Sequence, residues 1–234
     1  MEIKPKINYD FYICVLDFEA TCDEDNSTIQ QEIIEFPSVL YGWDVKTKGF
    51  DYISEFREYC KPKTNPILTK FCTQLTKITQ DKIDIADSFP NVIQRHYKWL
   101  VSLIGKKTAN EKVLVLTVGE WDIKTMLPKE CKMWNISSVP NVYKYYINVK
   151  YMFQKVFKYN GKGMKSMLKE LNLKLEGVHH SGLDDCKNTA KIVKKCIESG
   201  YIFNESYDLQ YSYLDLAIDK NIKNNVALKI DWDI

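Results

Sequence analysis

Residues 12–20, YICVLDFEA, form the stretch that decides the fold of this chain of 234 residues. The run is almost wholly apolar up to Asp17, and a second acid, Glu19, follows two positions later. A short apolar run without alternation is typical of a strand that is buried on both faces of a sheet. Side chains two positions apart on a strand point to the same face. The stretch therefore predicts a central strand that delivers two carboxylates together at its end.

The patterns that follow this strand predict a mixed sheet. Residues 32–45 and 50–60 are predicted strands joined by a turn near 46–49, so three strands form a meander. Residues 113–118, VLVLTV, are a second buried strand. Apolar residues at helical spacing predict helices at about 89–104, 121–132, 147–158, 163–172 and 183–199. Antiparallel strands followed by strands alternating with helices indicate an α/β fold, with a mixed sheet flanked by helices.

The composition excludes several classes of protein. With 45% hydrophobic and 27% charged residues, the chain fits neither a disordered nor a fibrous protein. It contains no apolar run of about 18 residues, and its first residues lack the apolar region of a signal peptide. None of the seven cysteines are at C-x-x-C spacing, which indicates reduced, mostly buried thiols. We therefore expect an intracellular protein, in the cytoplasm or the nucleus, without a membrane partner.

Charge is distributed unevenly although the net charge is only +2. Residues 1–60 carry 13 acids and 5 bases, a net charge of −8, whereas residues 123–169 carry ten lysines and one acid, a net charge of +9. Asymmetry of this kind suggests a polyanionic partner, although a lysine-rich solvated surface explains the count equally well. Aromatic residues are interleaved with these lysines, a combination used by proteins that bind single-stranded nucleic acids.

Two further acidic motifs stand at strand and helix boundaries. Asp122 follows the strand at 113–118, and His180 precedes Asp185 in an H-x-x-x-x-D motif at a predicted helix start. Each motif is weak alone, because acids at a strand end can be solvated and acids at a helix start commonly act as caps. Their order along the chain, D-x-E, then D, then H-x-x-x-x-D, is much more specific than any one of them.

This order resembles the DEDDh superfamily of 3′-to-5′ exonucleases, and the surrounding residues look like those of the Eri-type exoribonucleases. The resemblance covers about residues 10–204. It rests on residues 12–22 (YICVLDFEATC), 32–37 (EIIEFP), 71–80 (FCTQLTKITQ), 86–90 (ADSFP), 121–122 (WD) and 181–188 (SGLDDCKN). Two positions depart from the family pattern: Lys77 stands where Gly is usual, and His179 stands where Pro is usual.

The resemblance implies a ribonuclease H-like fold and a set of roles. The implied metal ligands are Asp17, Glu19, Asp122 and Asp185, with Glu19 also counted as catalytic. His180 is the implied general base, and its five-residue spacing to Asp185 favours it over His179. Hard oxygen ligands suit two Mg²⁺ ions, which Mn²⁺ could replace, in a two-metal hydrolysis of phosphodiesters.

The expected substrate is single-stranded RNA or an RNA 3′ overhang. We call the lysine-rich residues 123–169 the basic segment, and we expect it to contact the substrate through Lys155, Lys158 and Lys162. Near the reacting end, the expected contacts are Phe18, Ala20, Thr21, Trp121 and His180. Two alternatives stay open: a related exonuclease that acts on DNA 3′ ends, and a non-catalytic RNA-binding scaffold of the same fold. We further expect a monomer or homodimer, and a targeting protein as partner.

The chain is predicted to divide into an exonuclease domain, residues 1–204, and a C-terminal extension, residues 205–234. Apolar residues alternate with small or charged ones over residues 226–234, the period of a half-buried strand. We expect this strand to dock on the domain by adding to a sheet edge, or to pair with a second copy.

Overall fold

The computed structural model describes residues 9–25, 29–203, 208–212, 214 and 228–232. Its strands are β1 (Phe11–Leu16), β2 (Glu19–Ala20), β3 (Ile33–Asp44), β4 (Gly49–Lys61), β5 (Asp87–Ser88), β6 (Val113–Thr117), β7 (Tyr145–Asn148) and β8 (Leu209–Tyr211). Its helices are α1 (Lys70–Thr76), α2 (Gln80–Asp84), α3 (Phe89–Ile104), α4 (Lys106–Glu111), α5 (Leu127–Met133), α6 (Val149–Phe157), α7 (Met164–Glu170) and α8 (Gly182–Glu198). A π-helix spans Trp121–Met126, and a 3₁₀ turn spans Asn141–Tyr143.

The strands form one mixed sheet in the order β5-β4-β3-β1-β6-β7-β8, with β2 added beside β3. Strand β1 pairs antiparallel with β3 and parallel with β6, and β6 pairs parallel with β7. The carboxyl ends of β1, β6 and β7 therefore meet at one edge of the sheet. The predicted mixed sheet flanked by helices is confirmed.

Strand β1 is buried because helices cover both faces of the sheet. Tyr12, Cys14 and Leu16 pack into the core under α3 and α5, whereas Ile13 and Val15 pack into the core under α6, α7 and α8. Each fully buried side chain of this size contributes roughly 1.5–3 kcal/mol. Two apolar faces explain why the run at 12–16 does not alternate.

No helix in the described part of the chain is long and apolar enough to span a bilayer.

The predicted helix at 89–104 has the bounds of α3, whereas the prediction at 147–158 is wrong at its start. Tyr145–Asn148 is strand β7, and the helix begins only at Val149. The strand forms because Ile147 and Asn148 pair with β6, a contact that local periodicity does not reveal. The short elements α1, α2, α4, β5 and β8 were not predicted, since segments of two to seven residues carry too little periodic signal.

Residues 228–232 lie on the domain, but they do not extend a sheet edge as predicted for 226–234. Leu228 forms a single parallel bridge with Ile136, and Ser137 N donates to Leu228 O at 3.1 Å. Trp232 packs edge-on against Tyr97 at 5.7 Å and donates from Nε1 to Ser138 O at 3.1 Å. Residues 226, 227, 233 and 234 lie outside the described residues. The strand that does extend the sheet edge is β8, which pairs antiparallel with β7.

We predict that Trp232→Ala lowers the melting temperature of the protein, because the indole ring leaves its contacts with the main core. A loss of about 1–2 kcal/mol for this half-buried ring corresponds to a fall in Tm of about 2–8 °C for a chain of this size. Lys229→Ala, at an exposed position of the same segment, is the matched control. Thermal unfolding followed by circular dichroism measures both; an equal Tm in all three proteins would contradict docking.

Candidate active site

The four predicted acidic ligands come together at the carboxyl edge of the sheet. Asp17 directly follows β1, Glu19 lies in β2, Asp122 lies in the first turn of the π-helix after β6, and Asp185 lies in the first turn of α8. The backbone N–H of Phe18 donates to Asp122 Oδ1 at 2.8 Å, which joins the end of β1 to the π-helix. The structure thus brings together acids that are up to 168 positions apart in the chain.

The turn between β6 and the π-helix is held by contacts that aim Asp122 at the site. Gly119 has φ +106°, a conformation that side-chain-bearing residues rarely adopt. Its N–H donates to Asn148 Oδ1 at 3.0 Å, and Thr117 Oγ1 donates to its carbonyl at 2.9 Å. Asn148 ends β7, so the neighbouring strand fixes this turn. The π-helix that follows is of a rare kind that often occurs at functional sites.

Burial raises the pKa of three of these acids, and repulsion by neighbouring acids adds to the effect at two of them. Burial, followed by the charges of Asp122, Glu19 and Asp185, raises the pKa of Asp17 well above its usual range. Burial and then the charges of Glu35, Asp185 and Asp122 raise the pKa of Glu19 to about 9. Burial raises the pKa of Asp122 to about 7, although the Phe18 hydrogen bond acts in the opposite direction. Such a cluster of oxygen ligands, short of positive charge, fits hard divalent cations.

Two histidines face Asp185 from the segment that we call the histidine loop, residues 176–181. His179 Nδ1 lies 3.1 Å from Asp185 Oδ2, and the backbone N–H of His180 donates to the same oxygen at 2.9 Å. The two imidazole rings stack at 3.9 Å, and one ligand atom from each of His179, His180 and Asp185 lies within 4.8 Å of the others. Both imidazole rings therefore lie close enough to Asp185 to take part in a reaction at its carboxylate.

The histidine loop is held by side chains of α8. Val178 N donates to Asp184 Oδ2 at 2.9 Å, and Glu176 N donates to Asn188 Oδ1 at 3.0 Å. His180 has φ +65°, a left-handed conformation that costs energy for a non-glycine residue. Burial first, and then the interaction with the neighbouring His179 ring, lowers the pKa of His180, which favours its neutral form.

Glu35 is a fifth buried acid at this site, and it was not predicted from the sequence. It lies on β3 directly opposite Glu19, and its side chain is fully buried. Arg57 forms an ion pair with Glu35 Oε1, and Gly182 N donates to Glu35 Oε2 at 3.1 Å. An acid within the apolar run IIEF was a detectable signal, because buried carboxylates are rare unless they have a partner.

The predicted substrate contacts near the acids are mostly covered. The side chains of Phe18, Ala20 and Thr21 are buried, and the Phe18 ring packs against Phe36 at 4.7 Å. Thr21 Oγ1 accepts a hydrogen bond from Glu32 N at 2.9 Å. Trp121 is half-buried against the core under α3. Substrate contacts by these residues therefore stay predictions, and for the first three a backbone contact is the more accessible kind.

The three predicted lysine contacts differ in their surroundings. Lys155, on α6, forms an ion pair with Asp208 at 2.7 Å, and its Nζ also lies 5.5 Å from the Tyr201 ring centroid. Lys158 directly follows α6 and donates to the carbonyl of Lys155 at 3.0 Å, and Lys162 is exposed in the connection to α7. Lys155 thus already has an anionic partner within the chain.

We predict that the stability of the metal-free protein falls as the pH rises from 6 to 9. The folded-state pKa values of Asp122, about 7, and Glu19, about 9, exceed the ordinary values of 3.8 and 4.5. The folded state therefore binds more protons than the unfolded state in this range, and this stabilisation is lost as the pH passes through 7 and then 9. Melting in EDTA at a series of pH values measures the effect.

Mg²⁺ should reverse this trend, with its largest stabilisation at the highest pH, because cations then replace the missing protons. Asp122→Asn, which carries no charge at any pH, should flatten the metal-free curve between pH 6 and 8. A metal-free Tm that rises between pH 6 and 9 would contradict the raised pKa values.

Comparison with known protein families assigns this chain to the exonucleases, in agreement with the cluster of acids described above. The exonuclease family model, RNase_T, matches residues 14–193. The chain is 37% identical over 197 residues to 3′-5′ exoribonuclease 1 of Rattus norvegicus, covering 82% of this chain and 55% of that protein. It is 37% identical over 196 residues to ERI1 exoribonuclease 3 of Homo sapiens, covering 83% and 56%. The chain thus spans about half the length of these relatives.

Solved structures give the same assignment. The nuclease domain of 3′hExo, a DEDDh family member bound to rAMP, superposes with a TM-score of 0.74 at 36% identity, covering 84% of this chain and 96% of that one. A 3′-exonuclease solved for its 3′-end-specific recognition of the histone mRNA stem-loop superposes with a TM-score of 0.73 at 32% identity, covering 88% and 87%. This chain belongs to the RNase_T exonuclease family, with the ribonuclease H-like fold of its DEDDh members.

Proposed function

We propose that this chain is a metal-dependent 3′-to-5′ exoribonuclease that releases nucleoside 5′-monophosphates from RNA 3′ ends. The observation that carries the proposal is the convergence of four acids and two histidines at one edge of the sheet, in a chain of an exonuclease family. All five residues of the DEDDh pattern are present, which argues against a scaffold that retains only the fold.

Asp17, Glu19, Asp122 and Asp185 would hold two Mg²⁺ ions, or Mn²⁺ in their place. When all four are ionised, the carboxylates carry a charge of −4, which two divalent cations would balance. When bound, such ions supply charge stabilisation for the phosphoryl oxygens and lower the pKa of the attacking water. The protein contributes rigidity: Asp122 is fixed by Phe18 N, and Asp185 by the backbone N–H of His180.

His180 is the general base in this proposal. The ring of His179 already contacts Asp185 through Nδ1, whereas the contact from His180 to Asp185 is made by its backbone. The His180 ring, stacked on His179 and with a lowered pKa, is neutral near pH 7 and so able to accept the proton of the attacking water.

RNA is favoured over DNA as the substrate by the relatives. The rat and human proteins are named exoribonucleases, and the superposed 3′hExo domain holds rAMP. A ribonucleotide differs from its DNA counterpart by the 2′-OH, which a protein can both donate to and accept from. We therefore propose a single-stranded RNA 3′ end, or a 3′ overhang, as the substrate class.

Digestion of matched 5′-labelled RNA and DNA oligonucleotides, with Mg²⁺ and with EDTA, tests the proposal. We expect a ladder that shortens from the 3′ end of RNA, dependent on Mg²⁺. Asp17→Asn, Glu19→Gln, Asp122→Asn and Asp185→Asn should each remove this activity while the protein stays folded, because loss of one charged ligand displaces a cation. Equal cleavage of DNA would overturn the RNA assignment, and near-wild-type turnover of any variant would remove that residue from the ligand set.

The two histidines separate in a second experiment. We expect His180→Ala to lower kcat by about 10²–10⁴-fold, the usual contribution of a positioned general base, with KM little changed. His179→Ala should lower kcat much less, because it removes a contact to Asp185 and not the proton acceptor. Steady-state kinetics on one RNA measure kcat and KM for both variants. A larger loss in His179→Ala would assign the general base to His179.

The basic segment should set affinity and not rate. Neutralising Lys155, Lys158 and Lys162 together to Gln should raise KM and reduce the salt dependence of binding by about 0.7 for each phosphate that a lysine no longer neutralises. Lys155→Gln alone should contribute least, because Asp208 already pairs with this lysine. Binding titrations between 50 and 200 mM salt, a range in which such interactions weaken strongly, measure the slopes. An unchanged slope in the triple variant would make the segment an ordinary solvated surface.

A further inference from the structure

We propose that Glu35 and Arg57 are positioning residues for the reaction: together they hold the first residue of α8, and so place Asp185 and the histidine loop against the end of β1. The inference rests on the exonuclease function proposed above and adds two residues to it. Neither residue belongs to the DEDDh pattern.

The two oxygens of Glu35 have separate partners on two elements. Oε1 accepts from Arg57 Nε on β4, and Oε2 accepts from Gly182 N, the first residue of α8, at 3.1 Å. Both oxygens of Glu35 thus have protein partners, and the side chain lies opposite Glu19 on the neighbouring strand. Its carboxylate instead connects the sheet to the start of the helix.

The start of α8 fits closely against the sheet at this point. A Cβ added to Gly182 would lie 2.6 Å from Pro37 Cγ, 2.8 Å from the carbonyl oxygen of Asp17 and 3.0 Å from Glu35 Oε2. The Gly182 backbone therefore packs closely against Asp17, the first of the four acids. His180 lies two positions before Gly182 and Asp185 three positions after it, so a shift of this contact moves both.

Arg57 makes the burial of Glu35 tolerable. Glu35 is fully buried and its charge raises the pKa of Glu19, whereas the Arg57 side chain is 37% exposed. A buried carboxylate without a cation would be expelled, or would bind a proton and lose one of its acceptor sites. Burial raises the pKa of Glu35, and the charge and hydrogen bond of Arg57 act against this rise. The guanidinium itself lies over the Tyr59 ring at 5.5 Å.

A merely structural ion pair is the competing explanation, and β4 offers a matched control. Glu58, the next residue of the strand, pairs with Arg95 on α3 at 2.6 Å. Loss of this pair should cost stability without any effect on α8. Glu58→Gln is therefore the control for Glu35→Gln, Arg57→Gln and the conservative variant Arg57→Lys.

Three measurements on the full chain test the proposal: hydrogen exchange of the Gly182 amide by NMR, Mn²⁺ binding by electron paramagnetic resonance, and kcat and KM on an RNA oligonucleotide. For Glu35→Gln and Arg57→Gln we expect faster Gly182 exchange, and a loss of about 10–100-fold in Mn²⁺ affinity and in kcat, the usual effect of residues that orient metal ligands. KM should change little, Arg57→Lys should recover part of the loss, and Glu58→Gln should match wild type in all three.

Unchanged Gly182 exchange and Mn²⁺ affinity in both Gln variants would overturn the proposal, as would an equal loss in Glu58→Gln. If Glu35→Gln does not fold, the two Arg57 variants decide, because that side chain is partly exposed. A wild-type protein that binds Mn²⁺ but does not degrade RNA would instead refute the proposed function, and the exchange and Mn²⁺ measurements would still test the positioning role.

Discussion

Repulsion between carboxylates that are held close together in a buried place is the constraint on which the site depends. Burial raises the pKa of Asp17, Glu19 and Asp122, and at Asp17 and Glu19 the charges of neighbouring acids add to this effect. A fold tolerates such a cluster only where rigid elements oppose the repulsion. The apolar cores on both faces of β1 supply that rigidity.

Two of the acids, Asp122 and Asp185, each accept a hydrogen bond from a backbone N–H group. Asp122 accepts from the N–H of Phe18, and the turn before it is held by Asn148 at the end of β7. Asp185 accepts from the N–H of His180. These hydrogen bonds orient ligand oxygens before any cation binds, so little rearrangement is required of the protein when one does.

The basic segment illustrates how a charge count changes on folding. Residues 123–169 carry a net charge of +9, yet Asp208, from outside the segment, pairs with Lys155. Aromatic residues of the same segment also divide: Phe153 is fully buried under the sheet, whereas Tyr151 and Tyr159 are exposed. Only part of the composition that suggested a nucleic-acid surface is therefore available to a ligand.

The sequence by itself determined the features that depend on neighbouring residues. The apolar run of β1, the two-residue spacing of Asp17 and Glu19, the bounds of α3 and the H-x-x-x-x-D motif at the start of α8 are all local patterns. Local periodicity was enough to predict β1 and α3, because burial on one or two faces imposes a pattern of apolar residues on consecutive positions.

Only the tertiary structure decided the features that depend on contacts between distant residues. Strand β7 exists because β6 lies beside it, and Leu228 forms its bridge with Ile136, a residue far away in the chain. The link from Arg57 through Glu35 to Gly182 joins residues up to 147 positions apart, and the imidazole that contacts Asp185 is His179, not the predicted base. Such pairings arise from packing in three dimensions, for which a linear pattern carries no periodic signal.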